Sequence, residues 1–372
     1  MNNTFVLDQK QLALTLGFMQ PICSKKTTMQ ATSLILFHVT QKELILKATD
    51  LEISLQYTCT IKDSQIDNQQ FLVPGKKIFD IVRELDNDIT FTLKKNELGI
   101  SSGKVHLSLH IKDAQEFPPL PERIENLMHM DREFLLDMFT KVSFLIPQNN
   151  ATPSLNGLFL EISPEEFKMT STDGHCLAQV KSDKYVLATT KKWLTPRRAI
   201  FEIKKILENS SDEMIFIGTC SNQLVFSGES FNFFTKLLAD QFPAYEAILK
   251  KDGFIPAQVS RADFIKTLRR SSCLLSGQFL ATSFNFSPNQ LKVCLKNNEV
   301  GSLEETLAME NYTADTLEMK FYSPYLLNGL QSLPGDQVTC YLKNNTRPII
   351  FQAIDTNSEM VYLVMPVSAA TK

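Results

Sequence analysis

Thr195-Pro-Arg-Arg-Ala-Ile-Phe-Glu-Ile-Lys-Lys-Ile-Leu207 decides how the chain is read. Proline suits the first turn of a helix, where its missing donor would be unsatisfied anyway. Ile200, Ile203 and Leu207 then fall on one side, while Arg197, Arg198, Lys204 and Lys205 recur at a spacing of seven on the other. That is an amphipathic helix. The same shape recurs at Val73–Leu85 (VPGKKIFDIVREL) and Ser323–Leu333 (SPYLLNGLQSL), with the prolines 122 and 128 residues apart. A second helix series opens on the N-cap residues Asp8, Asp131 and Ser260, spaced 123 and 129, whose side-chain oxygens accept free N–H groups of the first turn. Two independent markers share one period, so the 372 residues divide into three units of about 124.

Strand-like runs follow each helix. After the first series come 33–39 with 43–48, 157–162 with 166–171, and 281–286 with 290–295. After the second come 89–93 with 105–111, 214–217 with 223–226, and 338–342 with 348–353. Each unit reads helix, strands, helix, strands. This predicts an α+β chain of three tandem similar domains, each laying two helices on antiparallel sheet. The boundaries fall in Pro- or Gly-containing stretches (FPPLPERIENL and KKDGFIP), giving 1–127, 128–254 and 255–372.

Composition excludes several classes. No apolar run approaches the ~18 residues of a membrane-spanning helix. The N-terminus lacks a basic region and Asp8 interrupts any apolar stretch, so a secretory leader is not expected. Seven scattered cysteines without a CxxC pair fit reduced thiols in a cytoplasm, not a disulfide frame or a zinc site. A net charge of −3 argues against adhesion to nucleic acid through bulk charge. The charge is unevenly spread, however. The six predicted helices (8–18, 75–85, 131–145, 196–208, 260–273, 323–333) hold fourteen basic and nine acidic residues, a net of +5 that leaves −8 elsewhere. Two readings stay open: an ordinary solvated helix surface, or a basic surface facing phosphates.

Catalytic motifs fail on context. Gly99-Ile-Ser-Ser-Gly103 has the spacing of a nucleophile elbow, but strand-like sequence lies on both sides, so it is a hairpin turn. His106 and His110 are four apart on a strand, roughly 13 Å, too far to share a metal ion. Neither a catalytic residue nor a metal or cofactor site is expected. Thr172-Asp-Gly-His175 is the most distinctive local segment and reads as a tight turn.

A set of segments points further. Ala48-Thr-Asp-Leu-Glu-Ile53, Val73-Pro-Gly-Lys-Lys-Ile-Phe-Asp-Ile81, Leu155-Asn-Gly157, Ser171-Thr-Asp-Gly-His175, Gln241-Phe-Pro-Ala-Tyr245 and Tyr362-Leu-Val-Met-Pro366 together resemble the beta-subunit (sliding-clamp) family of bacterial DNA polymerase III, in order and over the whole chain. The resemblance implies the DNA-clamp fold and a head-to-tail homodimer closing a six-domain ring, helices lining the hole and sheets outside. The implied role is non-catalytic: encircling double-stranded DNA without sequence preference and tethering the polymerase, an effective-concentration effect. The implied partners are the polymerase III catalytic subunit, the ATP-dependent clamp loader, and other polymerases and repair proteins carrying clamp-binding peptides.

The resemblance also implies sites. A peptide pocket falls on Leu155, Thr172, Gly174, His175, Leu177, Pro243, Ile248, Tyr325, Val364, Met365, Pro366 and Val367. DNA contacts fall on Lys25, Lys26, Gln148, Asn149, Arg197, Arg198, Lys204 and Lys205. The dimer contact falls on Lys104, Leu107 and Leu109 against Leu274, Leu275, Glu304 and Glu305. Three departures bear on the pocket: Cys176 where an arginine is common, Thr152-Pro-Ser154 ahead of Leu155, and Val367-Ser-Ala-Ala-Thr-Lys372 in place of a short basic ending. They predict a rim poorer in basic and aromatic residues. The competing readings are a DNA-modifying enzyme with a non-contiguous metal site, and a repeat scaffold that binds proteins only.

Overall fold

The computed structural model describes residues 3–121, 124–276 and 279–367. Six helices stand in it: α1 (Gln9–Cys23), α2 (Gly75–Val82), α3 (Arg132–Ser143), α4 (Arg197–Asn209), α5 (Arg261–Cys273) and α6 (Ser323–Ser332). Their starts follow the expected chemistry. The Asp8 carboxylate accepts from the Gln11 N–H at 3.0 Å, and the Ser260 hydroxyl accepts from the Asp263 N–H at 3.4 Å. Pro74 is the N-cap of α2 and Pro324 lies in the first turn of α6. Helix α1 overruns its expected end at 18 and carries Pro21 inside its last turn.

Among the described residues all strand pairing is antiparallel and forms three sheets, of five, nine and twelve strands. The chain packs as two compact units, 1–133 with 201–237 and 134–200 with 238–372. The five- and nine-stranded sheets lie in the first unit and the twelve-stranded sheet in the second. Each of the larger sheets joins strands from neighbouring repeats. Ile53–Thr60 pairs with Phe231–Lys236 in the first unit, and Cys176–Ser182 pairs with Glu359–Val364 in the second.

Burial explains the sequence texture. Thr282–Ser287 alternates buried and half-buried, as one covered face requires. Leu34–Thr40 is buried almost throughout, because both of its faces are covered. The second cover is irregular chain: Ala114 and Phe117 pack on Leu34, Leu36 and Leu72, while Leu120 and Ile124 pack on Cys220, Val225 and Phe234. In the other unit Phe242, Leu249 and Phe254 pack on Leu177, Ile350, Val361 and Leu363. The Pro-rich boundary stretches are therefore sheet covers rather than bare linkers.

Three positions repeat a helix-end device. The side chains of Gln9, Arg132 and Arg261 each open the first helix of a repeat. They donate to Val82 O (2.9 Å), Leu207 O (2.9 Å) and Leu330 O (3.3 Å), carbonyls at the C-terminal turn of the second helix. A helix leaves its last carbonyls without internal donors, so these contacts tie the helix pair together.

Candidate functional site

The Thr172–His175 turn is built by its own side chains. The Asp173 carboxylate accepts from the N–H groups of His175 (2.8 Å) and Cys176 (2.7 Å), and the Thr172 hydroxyl donates to Cys176 O at 2.6 Å. Gly174 sits at φ +93°, a conformation that a side chain disfavours. The turn pushes His175 into solvent, where its ring stacks on Tyr325 with centroids 5.8 Å apart. The His175 carbonyl accepts from the Met365 N–H at 2.9 Å, and Val367 N–H donates to Lys320 O at 2.7 Å. The last strand thus delivers Val364, Met365, Pro366 and Val367 alongside the turn. Leu155 lies beneath Gly174, and Leu177 is buried in the cluster with Tyr245 and Leu363.

Met365, 39% exposed, also lines a cleft of about 220 Å³ with Ile248, which is 41% exposed. Phe254 and Pro348 complete its apolar wall, and Lys250, Lys343, Arg347 and Asp252 surround it. Pro243 is exposed on the same covering segment. The structure therefore gathers the expected pocket residues within one unit. It also adds Phe254, Lys343, Arg347 and Pro348, which lie in two loops outside the motifs. On the Met365 side Lys250, Lys343 and Arg347 stand at the cleft. A further aromatic, Phe279, stacks on Tyr322 at 4.7 Å, and Tyr322 meets Tyr325 edge-on at 5.1 Å. One signal for the covering segment was legible: Phe117-Pro118 and Phe242-Pro243 stand 125 apart, matching the repeat.

Cys176 is buried against this site. Burial first, and the nearby Asp173 charge second, push its thiol well above the ordinary range, so it is not a thiolate at neutral pH. Residues 368–372 of the altered ending lie outside the described residues.

The basic residues divide by engagement. Arg197 donates from Nε to Ile146 O at 3.0 Å. Lys205 donates to Gly17 O at 3.0 Å and lies over the Phe18 ring. Gly17 O is the carbonyl that residue 21 would bond in a regular helix, and Pro21 has no N–H to offer. Lys205 therefore satisfies an acceptor that the proline orphans. Lys25 pairs with Glu52 and lies 3.9 Å from Asp50. Burial pushes Lys204 below the usual lysine range, with Glu208 opposing. Lys26, Gln148 and Asn149 are exposed, and Arg198 is half-buried.

The strand Val105–His110 is one of the two outer strands of the five-stranded sheet. Leu107 is 42% exposed and Leu109 half-buried, while Lys104 is exposed in the turn before them. Gly301–Glu310 meets Ile255–Ser260 only at Glu310 and Met309, so residues 301–308 have one free side. There Glu304 pairs with Lys292 at 2.7 Å and Glu305 with Arg270. Leu274 is half-buried and Leu275 is buried within its own unit. Glu97–Ser102 and Val105–His110 do form a hairpin, but its turn is Gly103-Lys104, with Gly103 at φ +56°, and Gly99–Ser102, read as the turn, lie within the first strand because their backbone pairs with 105–108. Among the described residues no group of three or more His, Cys, Asp or Glu side chains is placed to hold a metal ion. No helix among them is long and apolar enough to cross a membrane.

Three family descriptions match in tandem: DNA polymerase III beta subunit, N-terminal domain, over 3–121; central domain, over 129–244; and C-terminal domain, over 247–368. The beta sliding clamp of Pseudomonas putida is 26% identical over 366 residues, covering 97% of this chain and 99% of that one. That of Chlamydia muridarum is 24% identical over 373 residues, covering 97% and 98%. The solved sliding clamp of Bartonella birtlesii, bound to griselimycin, superposes with a TM-score of 0.88 at 26% identity, over 99% of this chain and 100% of that one. A Pseudomonas aeruginosa clamp structure gives 0.90 at 24% identity over 99% and 100%, which supports the fold. With all three domain descriptions matched in order along its length, the chain belongs to the DNA polymerase III beta subunit family, the beta sliding clamps, which are non-catalytic processivity factors.

Proposed function

We propose that two copies of this chain join head to tail into a closed ring that encircles duplex DNA and tethers a replicative polymerase. The domains are 1–127, 128–254 and 255–372, in line with the three matched descriptions. The observation that carries the ring is a rule of strand pairing with one exception at each end. In the first two repeats the third strand after the opening helix (53–60, 176–182) pairs with the last strand of the following repeat (231–236, 359–364). The rule leaves 105–110 without a preceding repeat and 301–308 without a following one. Pairing these two between copies satisfies both open edges, and open edges otherwise invite uncontrolled association. In that contact Leu107 and Leu109 of one copy face the Leu274–Leu275 corner of the other, with Lys104 near Glu304 and Glu305.

Within the ring, Lys25, Lys26, Gln148, Asn149, Arg197, Arg198, Lys204 and Lys205 face the duplex. Several of them are already held by protein acceptors, which suits a ring that must slide, because strong phosphate contacts fix register and slow movement along the duplex. The pocket around His175, Tyr325 and Met365 receives short extended segments of the polymerase III catalytic subunit, the clamp loader, and other polymerases and repair proteins. Its apolar walls and adaptable methionine fit varied ligands. The setting is the cytoplasm, where such partners and reduced cysteines coexist.

Loader-assisted assembly on DNA tests this reading. The chain should remain on a closed circle and run off after linearisation. Equal retention on both forms would overturn encirclement.

A further inference from the structure

Strand pairing inside the chain fixes which residues meet when the two open edges join. In the first repeat Gln56 lies opposite Lys47 on one side and Asn232 on the other, and in the second Gln179 lies opposite Thr170 and Val361. The third-repeat counterpart is Glu304, opposite Cys294. This follows from counting outward from the turn, which is one residue longer there: Lys296 lies opposite Ser302, where Thr172 lies opposite Leu177. The first-repeat counterpart of Asn232 is His106. The pairs Thr90 with Ser101 and Gly99 with Ser108 recur 126 positions on, as Phe216 with Ser227 and Val225 with Phe234. Continued between copies, the pattern sets His106 opposite Glu304, Ser108 opposite Ser302 and Leu107 opposite Leu303. Burial agrees with this register. Ser302, Glu304 and Thr306 are exposed, while Leu303 and Glu305 between them are half-buried. A slip of one residue would turn Leu107 and Leu109 to the outer face.

We infer that ring closure in this chain is proton-linked: the protonated His106 imidazole of one copy pairs with the Glu304 carboxylate of the other. This rests on the head-to-tail reading above. His106 is exposed and its Nδ1 lies 3.0 Å from the Ser101 hydroxyl, which leaves Nε2 to reach across the joint. Glu304 is exposed and uses one oxygen for Lys292 at 2.7 Å. The other titratable groups on this face are few. On the His106 side they are Lys104, two positions before it, and His110, which lies opposite Glu97 in its own hairpin. The Ser108 hydroxyl and Lys94 hold that Glu97 carboxyl below its ordinary value. On the Glu304 side they are Lys292, Cys294 and Lys296 of the neighbouring strand. Lys104 and Lys292 oppose a charge on His106, and the carboxylate directly across favours it. Opposite charges facing each other across two strands stabilise the pair. A neutral imidazole forfeits that attraction, so closure takes up a proton at each of the two joints. It is favoured as pH falls through the imidazole range, about 6.5, and weakens as pH rises above it, while Glu304 stays ionised throughout.

Sedimentation of the full chain at about pH 6 and pH 8 tests this. The dimer dissociation constant should fall about 10-fold from the higher pH to the lower, with two exposed pairs contributing. In His106→Gln the dimer should persist with a change below about 2-fold, and in His106→Lys it should be equally tight at both pH values. The register is read separately. Ser108→Cys combined with Ser302→Cys should give a disulfide-linked dimer on mild oxidation, and neither single variant should. A dimer of the unaltered chain that ignores pH overturns the proton linkage and leaves the ring standing. A pH response that survives in His106→Gln overturns the role of His106. A dimer that the paired cysteines fail to link overturns the register, and the pair with it. A chain that stays monomeric at every pH overturns the head-to-tail reading, and this inference with it.

Discussion

Lys141 illustrates what a single side chain decides. It is buried on α3 and its ammonium donates to Asp137, to Asp355 and, at 2.9 Å, to the Ser358 hydroxyl. The contact fastens α3 to the hairpin that joins the last two strands. Burial by itself would raise the Asp355 pKa; the Lys141 hydrogen bond and the N–H groups of Asn357 and Ser358 outweigh it and hold the carboxyl below its ordinary value. A depressed carboxyl contributes stability that is full above its unfolded pKa of 3.8 and is lost as pH falls through the native value. Lys141→Met should therefore cost about 2–4 kcal/mol at neutral pH, since Asp355 loses its cation while remaining partly wetted. The cost should shrink in acid, as pH falls through the lowered native value and the Asp355 carboxyl is neutralised in both proteins. Urea unfolding at the two pH values checks this; an equal loss at both would assign the effect to packing of the lysine stem. The local sequence marks only the pairing with Asp137, four positions back; the partner Asp355 lies 214 positions away.

At the scale of elements, the helices were the most legible part of the chain and their ends the least. Asp8, Ser260 and Pro324 mark helix starts through contacts made within a few residues, so sequence exposes them. Helix α1 runs past residue 18, burying Met19, Ile22 and Cys23, and Lys205 reaches Gly17 O across 188 positions, a contact that propensity does not contain. The same holds for Arg132 and Arg261. They counted as helix-surface charge in the sequence, yet they cap the partner helix. Strands show the opposite balance. The alternation of Val105, Leu107 and Leu109 is visible, but only the sheet order shows that this strand has an open side. Leu107→Glu should place an acid on that edge and convert a dimer to monomer in sedimentation, with the far-ultraviolet circular dichroism spectrum unchanged. A dimer that persists at micromolar concentration would move the interface elsewhere.

For the molecule as a whole, the proposed encirclement predicts that the −3 net charge and the basic helices hold DNA only weakly by contact. Arg132, Arg261 and Lys141 are engaged within the protein, and Arg197 and Lys205 already donate to carbonyls. A protein that relies on six to ten phosphate contacts loses about 10³–10⁵ in affinity between 50 and 200 mM salt. A closed ring held by topology should behave differently. Its half-life on a covalently closed circle should change by less than about 3-fold over that range, while its loading rate falls. Retention on circles measured after removal of the loader checks this, and a collapse of a hundredfold or more would mark a contact binder.

The sequence by itself determined the threefold period, the six helices, the α+β class and the family. Each of these is written in local signals: caps, prolines and alternation act over a few residues, and a repeat shows them three times. Only the tertiary structure decided which cations are engaged by the protein itself and what surrounds Met365. It also decided that the Phe117 and Phe242 stretches cover sheet faces and that the outer sides of 105–110 and 301–308 stay open. Those outcomes depend on contacts between residues far apart in the chain. Whether a lysine meets water, a carboxylate or an orphaned carbonyl is settled by what the fold brings beside it, not by its neighbours in sequence.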